Sequence, residues 1–207
     1  MRVHIPLICF ALGVGQGIAL RAQTPVGGLI ENQSWSTANS PFVVTNDVTV
    51  TSLVINAGVH VQVAPGKQFL VTGRLEAIGA PAAPIVFEPS DPAHLWDGLT
   101  FMNADTNSTF DYCEVHGSSN SGIKLRGTPL TLRHCLISGN SAMRGGGINT
   151  DGSLNLVSCE VRGNTSSSTW PPQTEAYGGG IYASGAGSAT LALVDSVVAD
   201  NLATAIQ

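Results

Sequence analysis

The chain has little charge. Only 11% of its 207 residues are Asp, Glu, Lys or Arg, and nine basic residues stand against fourteen acidic ones. The basic residues form no cluster and the formal net charge is −5, so there is no electrostatic footprint for a nucleic-acid partner. Yet 43% of the chain is hydrophobic, which excludes a disordered polymer. Cysteine is scarce as well. Of four cysteines, Cys9 falls in the apolar leader, leaving Cys113, Cys135 and Cys159. An odd number cannot all pair within one chain, although two of the three could still be bridged. Long apolar runs are missing after residue 22, and no segment of the mature chain is expected to span a bilayer.

The leader itself has the pattern of a secretory signal. Arg2 and His4 precede the apolar run IPLICFALGVGQGIAL (5–20), and Leu20-Arg21-Ala22 sets up cleavage before Gln23. Residues 1–22 therefore read as a signal peptide. The expected location is extracellular or on the surface of a bacterial cell.

What the chain does have is glycine, 24 residues of it, and a repeat. The segments STFDYCEVHGS, LTLRHCLISGN, LNLVSCEVRGN and LALVDSVVADN align on one slot, filled by Cys113, Cys135, Cys159 and Ser196. Five residues later come Ser118, Asn140, Asn164 and Asn201; two later come Val115, Ile137, Val161 and Val198. Between these frames recur Gly122-Ile123, Gly147-Ile148 and Gly180-Ile181, with Trp96-Asp97-Gly98-Leu99 as an earlier version. Apolar residues alternate within each short stretch, the period of a pleated strand. The phase shifts between Leu-x-Leu and Cys-x-Val, which requires a corner there.

A period in the low twenties, built of strands alone, predicts an all-β solenoid. One unit cannot bury its own apolar face, whereas stacked units share a continuous core. The predicted fold is a parallel β-helix with three short strands per coil and about six coils over residues 48–207, behind a lead-in or N-terminal cap at 23–47. Stacking places Cys113, Cys135, Cys159 and Ser196 in one inward column, where the thiols act as small hydrophobes. Asn140, Asn164 and Asn201 form a second column, a structural ladder whose amides bond along the stack. Glycines 145–147 are read as giving the backbone freedom to enter the next strand. Ala205-Ile206 starts another unit, so further coils or domains are expected beyond residue 207.

WDGLTF (96–101), CLISGN (135–140), the two GGGI stretches and AGVHVQVAPGKQFLVTGRLEAIGAPAAPIVFEPS (57–90) resemble exported bacterial right-handed parallel β-helix proteins. GGGI is similar to the GGAI repeat of chlamydial polymorphic outer-membrane proteins, although ISGN, VRGN and VADN carry Ile or Val where that family's FxxN has Phe. Pectate lyases share the fold, but their calcium-binding aspartates and catalytic basic residue find no counterpart among these motifs. The resemblance implies a right-handed winding and a surface protein, an adhesin or passenger, or else a polysaccharide-acting enzyme; a carbohydrate-binding module is the alternative offered by Trp170 and Tyr177.

Among outward residues, the slot before the cysteine holds Tyr112, His134, Ser158 and Asp195, a mixed polar column without a visible oxyanion hole. Glu114 and Glu160 share a slot with Leu136 between them. Asp111 and Arg133 fall on adjacent coils as a candidate surface ion pair. The insertion STWPPQTEAYGGG (168–180) is the best recognition candidate, since loops on a rigid scaffold carry function. Its Trp170 and Tyr177 are the candidate ligand-binding residues, able to stack on a sugar or anchor a partner, unless they only pack the loop onto its own coil. No catalytic, cofactor or metal residues are expected; calcium enters only with the lyase alternative. The expected partners are a polysaccharide or a host or cell-surface protein, and not nucleic acid.

Overall fold

The computed structural model describes residues 23–168, 175–185 and 189–205. Residues 1–22, expected from the sequence to be a signal peptide, Trp170 and the tip of the insertion, and Ile206 lie outside the described residues.

Every pairing between strands is parallel, and each joins residues about one repeat apart. The chain therefore winds, each strand lying on its counterpart in the preceding coil. The Gly-Ile strands stack as Leu99–Met102, Ile123–Arg126, Ile148–Thr150 and Ile181–Ala183. The Leu-x-Leu strands stack as Thr109–Asp111, Leu130–Arg133, Leu154–Val157 and Leu191–Val194. The Cys-x-Val strands follow as Cys113–His116, Leu136–Ser138, Glu160–Arg162 and Val197–Ala199. These are the three strands per coil of a parallel β-helix. After each Asn comes a further short strand, at Ser141–Ala142, Thr165–Ser167 and Leu202–Thr204, paired in a small sheet of its own. Sequence patterning did not reveal it, because two or three small residues carry no alternation.

The looser N-terminal half obeys the same rule. Phe42–Asn56 is one long bent strand that spans two faces, and Phe69–Ile78 lies on it with a register shift between Val50 and Ser52. The stretch at 23–47 contributes strands of its own. Thr24–Ile30 and Gln33–Trp35 pair in parallel with Phe42–Asn56, which makes them a rung of the same wall.

One apolar cluster runs up the inside from Ile30 to Val161. In the early coils it is an aromatic spine: Trp35 stacks on Phe42 at 4.4 Å, and ring contacts continue through Phe69, Phe87, Phe110 and Phe101. Later rungs substitute Ile, Leu, Val and Cys. Trp96 is fully buried and its Nε1–H donates to the carbonyl of His116 at 2.8 Å. Leu193 is 44% exposed where its partner one rung earlier, Leu156, is fully buried.

The corner after the Cys-x-Val strands is held by the asparagines. Asn140 donates from Nδ2 to the carbonyls of Val115 and Ser138, each at 3.0 Å, while its Oδ1 accepts the backbone N–H of Ser118 at 3.1 Å. Asn164 repeats this one rung on: its Oδ1 accepts from both the N–H and Nδ2 of Asn140 at 3.0 Å, and its Nδ2 donates to Ile137 and Arg162. Asn201 does the same for Asn164 and Val161. Buried amides that are fully bonded in this way fix the corner, whereas unbonded ones would cost more than they contribute.

The glycines follow from that ladder. A Cβ on Gly147 would lie 2.7 Å from the carbonyl oxygen of Gly180 and 2.9 Å from Nδ2 of Asn164; one on Gly180 would lie 2.7 Å from Nδ2 of Asn201. Of glycines 145–147 only Gly145 has a positive φ, at 60°. The expectation of backbone freedom thus holds for Gly145, while Gly146 and Gly147 are needed for space. The Gly of one rung and the Asn of the next form a packing pair.

Replacing Asn164 by Ala strands several buried backbone groups and is expected to cost about 3 kcal/mol, against about 1 kcal/mol for Asn201→Ala at the more solvated end, measured by urea unfolding. Gly147→Ala should cost about 3 kcal/mol through overpacking. By contrast Gly163→Ala, with open space at φ 61°, should cost only ~1 kcal/mol of left-handed strain. Equal losses in the two glycine variants would disprove the packing-pair account.

Candidate functional site

The inward columns come first, because they remove residues from consideration. Cys113, Cys135 and Cys159 are buried free thiols stacked on consecutive rungs. The N–H of Cys135 reaches Sγ of Cys159 at 3.5 Å, and the N–H of Cys159 donates to Oγ of Ser196 at 3.0 Å. Burial pushes the Cys135 thiol well up; the hydrogen bond with Cys135, then burial, raises that of Cys159. A thiol held protonated is a poor nucleophile. Asn140, Asn164 and Asn201 are occupied in the ladder.

The corner before each cysteine is the second column. Tyr112, His134, Ser158 and Asp195 all sit in left-handed backbone, with φ between 47° and 54°. Their side chains point outward as the chain turns from Leu-x-Leu to Cys-x-Val. The rings of Tyr112 and His134 stack at 4.2 Å and 7°. Nδ1 of His134 is 2.8 Å from Oδ1 of Asp111. Asp111 thus takes His134 as its partner; the expected pairing with Arg133 does not form, because the turn swings the imidazole back over the aspartate while Arg133 merely pairs with it in register. Leu136 separates Glu114 from Glu160, and Glu160 pairs with Arg162 at 2.9 Å. Carboxylates set apart in this way are not placed to share one reacting bond.

Polar residues that do converge lie on the outer side of the Gly-Ile strands. Ile123 and Leu125 point inward, so Lys124 and Arg126 point out. Register sets Thr100, Lys124, Asn149 and Tyr182 side by side on four successive rungs. Arg126 donates to Oδ1 of Asn149 at 3.3 Å, and Nδ2 of Asn149 donates to the carbonyl of Arg144 at 3.2 Å. The guanidinium of Arg144 lies 5.3 Å from the ring of Tyr177 and 5.6 Å from that of Tyr182, within cation–π range of both. The two rings are 5.7 Å apart.

Tyr177 reaches this place because the chain regains register at the end of the insertion. Arg144 and Tyr177 form a parallel bridge, with the N–H of Gly145 donating to the carbonyl of Tyr177 at 2.9 Å. The Tyr177 hydroxyl donates to Oε2 of Glu175. Beside the cluster is an open depression of about 450 Å³ lined by Asn120, Ala142, Met143, Arg144 and Asn149. Of the two aromatics singled out in the sequence, Tyr177 belongs to this cluster, and Trp170 lies outside the described residues. Lys124, Arg144, Asn149 and Tyr182 were missed. For Lys124, Asn149 and Tyr182 the signal was the variable residue after each Gly-Ile, read in GIK, GIN and GIY; Arg144, just before its glycines, carried none.

The family model described as "Right handed beta helix region" matches residues 94–207, more than half of the chain. The chain belongs to the right-handed β-helix family. No curated protein and no solved structure matches it. In this β-helix, no group of three or more His, Cys, Asp or Glu side chains among the described residues is placed to hold a metal ion. Nor is any helix among them long and apolar enough to cross a membrane. The family fixes the scaffold; the activity has to come from the outer faces.

A thiol reagent such as iodoacetamide at pH 8 is expected to leave Cys113, Cys135 and Cys159 unmodified in the folded β-helix and to label all three in denaturant, read by mass spectrometry. Rapid labelling of any of the three in the native state would refute the buried column.

Proposed function

We propose that this β-helix is an exported, non-catalytic scaffold that binds a carbohydrate on the outer side of its Gly-Ile strands, as a surface or extracellular adhesion protein. The observation that carries the reading is the gathering of Tyr177, Tyr182 and Arg144 beside the depression lined by Asn120 and Asn149. Two aromatic faces supply apolar contact for a sugar ring, while amides and a guanidinium supply directed hydrogen bonds. A rigid wall of strands holds these groups in fixed register, so little ordering entropy is lost on binding. The buried thiols and the separated glutamates support a binding role over turnover, and the leader at 1–22 supports export.

The test is a panel of oligosaccharides against the folded protein, followed by calorimetry on the best binder. Tyr177→Ala and Tyr182→Ala are each expected to weaken binding about tenfold, the size of a modest interfacial anchor. No new reducing ends or unsaturated products should form over hours. Unchanged affinity in both variants sinks the site, and product release would favour the polysaccharide-lyase alternative.

A further inference from the structure

Lys124 is the least explained side chain on this face. It is 9% exposed, although it points away from the core on the outer side of its strand. Among the described residues it makes no hydrogen bond and no ion pair within 4 Å. Buried ammonium groups are ordinarily paired, because an unpaired one costs free energy on leaving water. Burial accordingly pulls its pKa down; Asp97 opposes that fall and Arg126 adds to it. Asp97 is engaged elsewhere, accepting from Nδ2 of Asn120 at 2.8 Å. Arg126 adds a second positive charge two residues along the same outer row. Its aspartate partner, Asp151, stands 3.9 Å away, and that carboxylate also accepts the N–H of Gly127 at 2.7 Å. Arg144 brings a third. Three of the chain's nine basic residues thus meet on one face of a protein with a net charge of −5.

We propose that Lys124, with Arg126 beside it, forms an oxyanion site on this face, one that takes a carboxylate, sulfate or phosphate group of the bound ligand. Asn149 lies between the two parts of the face. It pairs in register with Lys124 on one side and Tyr182 on the other, and it lines the depression next to Arg144. A ligand seated against the tyrosines reaches Lys124 one rung beyond Asn149, ~10 Å from Tyr182 along the stack. An oxyanion there gives the ammonium the charge-assisted partner it lacks. This deepens the proposed carbohydrate-binding function and rests on it for the identity of the face, not for the pairing of Lys124.

The experiment compares the wild-type protein with Lys124→Met, which keeps the apolar stem and removes the charge. Its melting temperature without ligand should equal or exceed that of the wild type, which also shows that the variant folds. Two oligosaccharides of the same backbone, one sulfated and one neutral, are titrated into each protein. Wild type should prefer the sulfated form about tenfold, and the preference should fall to near one in Lys124→Met. Sodium sulfate and sodium phosphate, titrated against sodium chloride at constant ionic strength, form the second arm. If either raises the melting temperature of wild type but not of Lys124→Met, while no oligosaccharide binds, the oxyanion site stands and takes a free ion, and the carbohydrate reading fails. A preference that survives Lys124→Met, binding of both oligosaccharides by wild type with no preference for the sulfated one, or equal stabilisation of both proteins by the free ions overturns the site. Loss of all sugar binding in Tyr177→Ala with the anion effect intact separates the two proposals.

Discussion

The C-terminal coils of this molecule hang on how a buried amide is satisfied at one corner. An asparagine side chain inside an apolar stack is costly unless its donors and acceptor are all engaged. Here Asn140 and Asn164 each bond backbone groups on their own rung and the rung before, and each accepts from a backbone N–H one rung back. That arrangement works only if the next rung approaches closely, and close approach works only if the residue facing the amide has no Cβ. Asparagine and glycine at separate places in the repeat are therefore one constraint seen twice. The apolar columns fill the space that this corner defines, and their burial, roughly 2 kcal/mol for each large aliphatic side chain, supplies the bulk of the driving force.

The inner half of the fold was legible in the sequence because stacking makes it repeat. Leu132 above Leu156, Ile137 above Val161 and Cys135 above Cys159 share surroundings, so they share chemistry, and alternation shows which residues face in. The N-terminal coils were harder to read. Their long bent strand Phe42–Asn56 crosses a corner with a register shift and carries no repeated frame. The short strands after each Asn were invisible for the opposite reason, being too brief to alternate.

The candidate site was only partly legible. Tyr177 stood out as an aromatic in an insertion. Lys124, Asn149 and Tyr182 did not, since they are unlike one another and lie far apart in the chain; only the winding sets them side by side. The same holds for Asp111 and His134. Column arithmetic placed Asp111 opposite Arg133, and the register agrees, but the left-handed turn at Tyr112 and His134 decides which side chain swings over the carboxylate. Periodicity reports what faces the core. It says little about which outward groups touch, because their rotamers answer to local turns.

Cys113, Cys135 and Cys159 stand 22 and 24 residues apart, and Ser196 follows 37 residues after Cys159; yet the contact from Cys159 to Ser196 is that of immediate neighbours. Chain length between rungs and height along the axis are thus decoupled. The extra residues fall in two places, after Asn164 and after Ala183, and the strands on either side keep the pitch, ~4.8 Å per coil. A wall built in this way behaves as a ruler whose graduations stay fixed while ornaments of any size are hung from its edge. Reshaping what the face recognises requires lengthening one corner, not rewinding the strands beneath it.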